Sequence, residues 1–181
     1  MRPTQSETAV AGNVYVFWGD GKGKTTAALG MALRALGHGW RVHMIQFMKR
    51  VEVGSGELEA LASHAGISIE TCGGAGWVKD GPTEEQAAAA AAAMQAAVRA
   101  THAGYDMLIL DEILYAVEMG LVKVRDVLRL LCERSRDLNV ILTGGWAEIP
   151  EITALADLVT EMKRHKHPFD LGTAAREGIE Y

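Results

Sequence analysis

Between a short apolar run and a helix-forming stretch, the chain reads Phe17-Trp-Gly-Asp-Gly-Lys-Gly-Lys-Thr-Thr-Ala-Ala-Leu-Gly30. No other segment constrains the fold as tightly. A glycine turn from a strand into a helix brings backbone N–H groups together at the helix N-terminus, where the helix dipole adds partial positive charge. Such a turn holds an anion, and the usual phosphate-binding pattern is a glycine, four residues, then Gly-Lys-Ser/Thr. Counting back from Gly23-Lys24-Thr25 puts that first glycine at position 18, which is Trp. The glycines present are Gly19 and Gly21, so the spacing is shortened.

Lys24 supplies a full positive charge, and Thr25 a hydroxyl able to bind Mg²⁺. The chemistry then needs a carboxylate at the end of another buried strand, to hold the metal directly or through water. Asp111, closing Leu108-Ile-Leu-Asp-Glu112, meets that requirement. Glu112 beside it could orient a water, assist the metal or contact the nucleotide. A strand, a glycine turn, Lys-Thr, a helix and a distant apolar strand ending Asp-Glu together point to a Mg-nucleotide site. A glycine turn that binds nothing leaves Lys22 and Lys24 without a reason. Arg34 and Arg129 fall inside helical stretches and read as solvated surface, so no arginine finger is evident.

The rest of the chain alternates strand and helix patterns. Strands are expected at 13–18, 41–47, 67–71, 106–111, 139–143 and 158–162, most of them apolar runs suited to burial on both faces. Helices are expected at 24–36 (ended by Gly37), 56–65, from 84 to Gly104, at 124–135 and from Pro150 to 156. Thr83 and Gln86 form a capping box ahead of the Ala-rich tract, whose composition needs only a structural explanation. Residues 72–82 are a glycine-rich loop. Right-handed crossovers make this α/β order a mostly parallel sheet with helices on both faces. Ligands then bind beyond the carboxyl ends of the strands, so the loops after Trp18, Phe47, Thr71, Asp111 and Thr143 should share one rim. Residues 1–12 read as a flexible tail and 13–181 as a single domain, long enough to bury a core.

Composition removes several alternatives. A net charge of −5 disfavours nucleic-acid binding, which needs a basic surface. No apolar run approaches the roughly 18–20 residues of a membrane span, and MRPTQSETAVAGN holds no secretory h-region. Two cysteines, Cys72 and Cys132, without C-x-x-C spacing suit a cytoplasmic protein.

Beyond this point the residues carry a resemblance. GDGKGKTTAALG, Gln46-Phe-Met-Lys49, LILDE followed by Tyr115-Ala116, and DLVTEMKRHKHPFDLG…GIEY (157–181) resemble the P-loop ATP:corrinoid adenosyltransferases, from about residue 13 to the C-terminus. The shortened loop is that family's own variant. The resemblance implies a P-loop NTPase (RecA-like) architecture. It also implies transfer of the 5′-deoxyadenosyl group of ATP to the Co(I) of a reduced corrinoid, with release of triphosphate. Gly19, Asp20, Gly21, Lys22, Gly23, Lys24, Thr25, Thr26 and Lys49 would then line the nucleotide site. Thr25 and Asp111 would hold Mg²⁺, and Lys24, Thr25 and Glu112 would be catalytic. Trp77 matches an aromatic placed beside the corrin to displace the lower cobalt ligand; as a residue alone it could equally pack the loop. A homodimer and a flavin-type reductase as electron donor are implied as partners.

The departures fall in the loops. Lys79 stands at the second aromatic position, Arg50 follows Lys49 where glycine is usual, and Thr143-Gly-Gly-Trp146 replaces Thr-Gly-Arg. Two rivals therefore stand beside the transferase: a P-loop ATPase or small-molecule kinase, and a non-catalytic nucleotide or corrinoid binder. Tyr115 either lines the pocket or packs the sheet, and His165 and His167 lie in a polar stretch without other ligands at metal-binding spacing.

Overall fold

The structure, a computed structural model, describes residues 11–49, 55–72, 78 and 81–179. Among these residues six strands are present: β1 (Val14–Trp18), β2 (Val42–Phe47), β3 (Ile67–Cys72), β4 (Met107–Asp111), β5 (Asn139–Thr143) and β6 (Leu158–Glu161). They form one sheet in the order β3-β2-β4-β5-β1-β6, and every neighbouring pair is parallel. The helices are α1 (Lys24–Gly37), α2 (Gly56–Ala62), α3 (Glu84–Ala100), α4 (Ile113–Glu118), α5 (Val124–Glu133) and α6 (Pro150–Thr153), with a 3-10 turn at Pro168–Leu171.

Alternation along the strands explains why both faces are covered. Leu108 and Leu110 join a core with α3, α4 and α5, whereas Ile109 joins another with α1 and α2. In β1, Val14 and Val16 face the first core and Phe17 the second. A central parallel strand is apolar on both sides for this reason. In α3 the alanines at 90, 93, 97 and 100 are spaced three or four apart and form its buried stripe, so the tract serves close packing against the sheet. Its capping box is formed as expected, with Thr83 and Gln86 each satisfying the other's backbone N–H.

Four expectations are corrected. Helices α2, α3, α5 and α6 stop at Ala62, Ala100, Glu133 and Thr153, short of the expected 65, 104, 135 and 156. Gly37 remains within α1; the chain leaves the helix at His38, and Gly39 takes the left-handed conformation. Helix α4, immediately after Glu112, was not anticipated from sequence. Of the expected tail, residues 1–10 lie outside those described, but Gly12 is buried and anchored. Its N–H donates to the Arg136 carbonyl at 2.8 Å and its carbonyl accepts from Arg134 at 3.0 Å.

For the site, one feature of the topology matters most. Strand β5 lies between β1 and β4, so the glycine loop after β1 and the acidic pair ending β4 face each other across the end of β5. The edge strand β6 closes the other side of the loop.

Candidate active site at the carboxyl rim of the sheet

Trp18 is still strand, in register with Glu161 of β6, and its carbonyl accepts the Met162 N–H at 2.7 Å. The turn therefore starts only at Gly19, which explains why position 18 has no need of glycine. Gly19 and Gly23 take φ of +116°, a region that penalises a side chain. Close packing adds a second requirement. A Cβ on Gly19 would stand 2.4 Å from the Met162 carbonyl oxygen, and one on Gly21 at 2.6 Å from the same atom. The Gly21 N–H donates to that carbonyl at 2.6 Å.

Lys24 folds back over the loop, donating to the Gly19 carbonyl and, at 2.8 Å, to that of Gly21. Its ammonium lies 5.6 Å from the Tyr115 ring centre, a cation–π distance. Burial lowers its pKa, while Asp20, Glu112 and Glu118 oppose that shift. Thr26 is exposed at the start of α1.

Asp111 is the hub of the opposite wall. It is fully buried, and its Oδ1 accepts from the hydroxyls of Thr25 at 2.8 Å and Thr143 at 2.7 Å. Its Oδ2 accepts from Gln46 at 3.3 Å and lies 3.5 Å from the Lys49 ammonium. Lys49 reaches there because Met48 takes a left-handed φ of +61° and the Lys49 N–H closes a tight turn on the Phe47 carbonyl. Gln46 is oriented in turn by Thr71, whose hydroxyl donates to its Oε1 at 3.1 Å. A buried carboxylate survives only with such partners.

Glu112 turns the chain from β4 into α4 through a left-handed φ of +63°, and its N–H donates to Thr143 Oγ1 at 3.0 Å. Burial, reinforced by the charge of Asp111, pushes its carboxyl up to about 7, against the opposing pull of Lys49 and Lys24. Tyr115, one turn along α4, is pushed up to about 12 by burial and by the carboxylates around it. Its phenol stays neutral, and its ring lies under Lys24.

The raised carboxyl carries a stability prediction. A carboxyl whose folded pKa exceeds its unfolded value stabilises the fold fully below that unfolded value, and the contribution is lost as pH rises through the folded one. Metal- and nucleotide-free protein should lose about 3 kcal/mol from this group between about pH 4.5 and pH 8. Glu112→Gln removes the titration, so urea midpoints at about pH 5 and pH 8 should differ less in the variant. An unchanged pH dependence would show that Glu112 ionises freely.

The loop after β5 docks directly on the glycine loop. Gly19 N–H donates to the Gly145 carbonyl at 3.0 Å, and Gly144 N–H to that of Phe17 at 3.1 Å. On the other side the C-terminal segment closes over it. Lys22 donates to the Ile179 carbonyl at 2.7 Å, and Asp20 accepts the Arg164 N–H at 2.9 Å. That N–H holds the exposed Asp20 below its usual pKa. His167 accepts the Phe169 N–H at 3.1 Å, capping the 3-10 turn, which gives this histidine a structural role.

Of the residues singled out from sequence, the structure brings Gly19 to Thr26, Lys49, Asp111, Glu112 and Tyr115 to one rim. Trp77, Lys79 and Arg50 lie outside the described residues. Arg34 and Arg129 are exposed, as expected. Sequence reading passed over Gln46 and Thr143 as hub partners and Glu118 as a loop anchor. Only Gln46 carried a signal, as a polar residue inside an apolar strand. Among the described residues, no group of three or more His, Cys, Asp or Glu could hold a metal.

A parallel α/β sheet, a glycine loop with Lys-Thr at a helix start, and a buried aspartate across one intervening strand define a P-loop nucleotide-binding protein. A KaiC-like protein from Pyrococcus horikoshii OT3 shares this fold, with a TM-score of 0.59 over 87% of this chain and 75% of its own, at 17% identity. Sequence comparison is more specific. Residues 10–181 match the family described as ATP:corrinoid adenosyltransferase BtuR/CobO/CobP. The corrinoid adenosyltransferase of Escherichia coli K12 is 37% identical over 94% of this chain and 86% of its own. The Salmonella typhimurium corrinoid adenosyltransferase CobA is 36% identical over the same shares, and that of a Sinorhizobium species 35% over 97% and 83%. The chain belongs to the ATP:corrinoid adenosyltransferase family, and its enzymatic class is transferase.

Proposed function

We propose that this protein transfers the 5′-deoxyadenosyl group of ATP to the Co(I) of a reduced corrinoid. The cobalt lone pair attacks the 5′ carbon, the bond from that carbon to the triphosphate oxygen breaks, and the oxygen keeps the electron pair. Triphosphate leaves intact. The observation that carries the reading is the family match across residues 10–181, joined to a loop built to neutralise a polyanion. The nucleophile is the metal of the substrate, so no general base is required. What the protein supplies is positioning and charge.

Lys24 and the N–H groups from Lys22 to Thr26 grip the triphosphate, and Lys49 adds charge from the neighbouring strand end. Mg²⁺ fits the donors present. Thr25 offers a hydroxyl oxygen backed by Asp111, and this ion usually takes its remaining ligands from water and phosphate. Bound there, it would neutralise leaving-group charge. Asp111, already engaged by four neighbours, orients Thr25 from behind. Glu112, at the same rim, contacts the nucleotide or its metal, and Trp77 is assigned to the corrin on the family resemblance alone.

A flavin-type reductase supplies the electron, and two copies of the chain pair; both proposals rest on the family alone. A cytoplasmic setting is supported by two cysteines that are not joined to each other. No helix among the described residues is long and apolar enough to cross a membrane.

The test is anaerobic. Protein, Mg-ATP and chemically reduced cob(I)alamin should yield a light-sensitive adenosylated corrinoid and triphosphate in equal amounts. ADP and phosphate as the only products would make the protein an ATPase, and ATP binding without turnover would make it a binder.

A further inference from the structure

The loop after β5 is built with more care than a connection requires. Gly144 and Gly145 take φ of +112° and +77°, and a Cβ on Gly144 would stand 2.9 Å from the Tyr115 ring. Glu118 of α4 then holds the next two residues. Its carboxylate accepts the Trp146 N–H at 2.9 and 3.0 Å and the Ala147 N–H at 2.8 Å. Charge-assisted bonds of this kind fix a backbone firmly. What the loop presents is Trp146, 51% exposed at the rim beside the glycine loop.

Its position is specific. The indole meets the Tyr115 ring edge-on, with centres 4.6 Å apart, and the Tyr115 ring in turn carries the Lys24 ammonium. Trp146 therefore stands two contacts from the cation that grips the triphosphate. From Thr143 to Ala147 the loop carries no charged side chain, so it offers a triphosphate no charge of its own. It offers a flat π-surface, of the two-ring size of a purine. A corrin, far wider and fringed with side chains, is matched less well by one half-exposed indole.

We propose that Trp146, held in place by Glu118, is the stacking platform for the adenine ring of ATP bound at the glycine loop. The proposal rests on ATP being seated there, as argued above. Stacking of a base on an aromatic side chain is worth about 1–3 kcal/mol and tolerates any base. The platform therefore adds affinity without strict selection of adenine.

Inorganic triphosphate is the probe that isolates the ring, because it carries the phosphates and no base. With Mg²⁺ present, calorimetric Kd values for ATP and for triphosphate would be compared in the wild type, Trp146→Ala and Trp146→Phe. Trp146→Ala should weaken ATP by about tenfold or more and triphosphate by less than about twofold, with Trp146→Phe recovering most of the loss. Equal weakening of both ligands would make Trp146 a support of the loop and overturn the proposal. So would unchanged ATP affinity accompanied by a raised KM for the corrinoid, which would assign the indole to the other substrate. A wild type that binds neither ATP nor triphosphate would instead remove the nucleotide reading beneath it.

Discussion

Lys24→Ala is expected to remove nearly all activity, lowering kcat/KM by about 10²–10³-fold or more. The ammonium sits inside the loop, donating to the Gly19 and Gly21 carbonyls, and it is the loop's own charge nearest the triphosphate it would hold. Losing a preorganised donor to a developing anion costs more than losing an ordinary surface charge, because solvent cannot supply a charge fixed in that position. ATP affinity should fall in parallel, since the leaving group and the bound ground state carry the same phosphates. The fold should survive. The two carbonyls that lose the lysine lie at the rim, so the change in unfolding free energy should stay within about 1 kcal/mol. Calorimetric ATP binding together with a thermal melt separates the two effects. ATP affinity within about threefold of wild type, on a folded variant, would take the loop out of the mechanism. Lys24→Arg is expected to rescue little, because a planar fork does not enter a turn shaped around a point charge.

Asp111→Ala is expected to produce the largest loss of stability, about 3–5 kcal/mol, with activity lost as well. The side chain is fully buried and serves Thr25, Thr143, Gln46 and Lys49 at once. Alanine would strand two hydroxyls and an amide, and leave the Lys49 ammonium without its counter-charge. Each orphaned donor adds its own desolvation cost. At a few degrees per kcal/mol for a domain of this size, Tm should drop by about 6–20 °C. Asp111→Asn keeps the shape and one acceptor oxygen, so it should retain more stability while still weakening Thr25 as a metal ligand. Calorimetric melts of the three proteins would decide this. A shift below about 1 °C for Asp111→Ala would mean that the four contacts contribute nothing net.

Much of this site was legible from the chain. The turn Gly19–Thr25, the helix it opens and the apolar strand ending Asp111-Glu112 are each contained in a short window, and each was located to within a residue or two. The strands were legible for a related reason. Burial on both faces leaves continuous apolar runs, and glycine, proline and capping residues mark their ends. Helix α4 escaped notice because six residues give too few turns for a helical period to show. Gly37 was misread because a glycine near a helix end is a local cue. Which of Gly37 and Gly39 takes the left-handed turn depends on how the following strand enters the sheet.

Gln46, Thr143 and Glu118 were missed for a deeper reason. Each acts on a residue far along the chain: Gln46 and Thr143 on Asp111, Glu118 on the backbone of Trp146 and Ala147. No window of sequence contains both members of such a pair. Trp146 is the instructive case. On paper it was only the residue beyond a missing arginine, and its meaning came from Tyr115, Lys24 and the Glu118 clamp around it.

The chemistry of the glycine loop, the alternation of strand and helix and the cytoplasm-compatible composition were determined by the sequence itself, because short-range geometry and periodic burial are properties of neighbouring residues. The strand order was decided only by the tertiary structure. It is set by which crossovers let every apolar face be covered at once, a condition shared among contacts across the whole core. That order places β5 between β1 and β4, so Thr143 pairs with Phe17 of β1 on one side while its hydroxyl bonds Asp111 and the Glu112 N–H on the other.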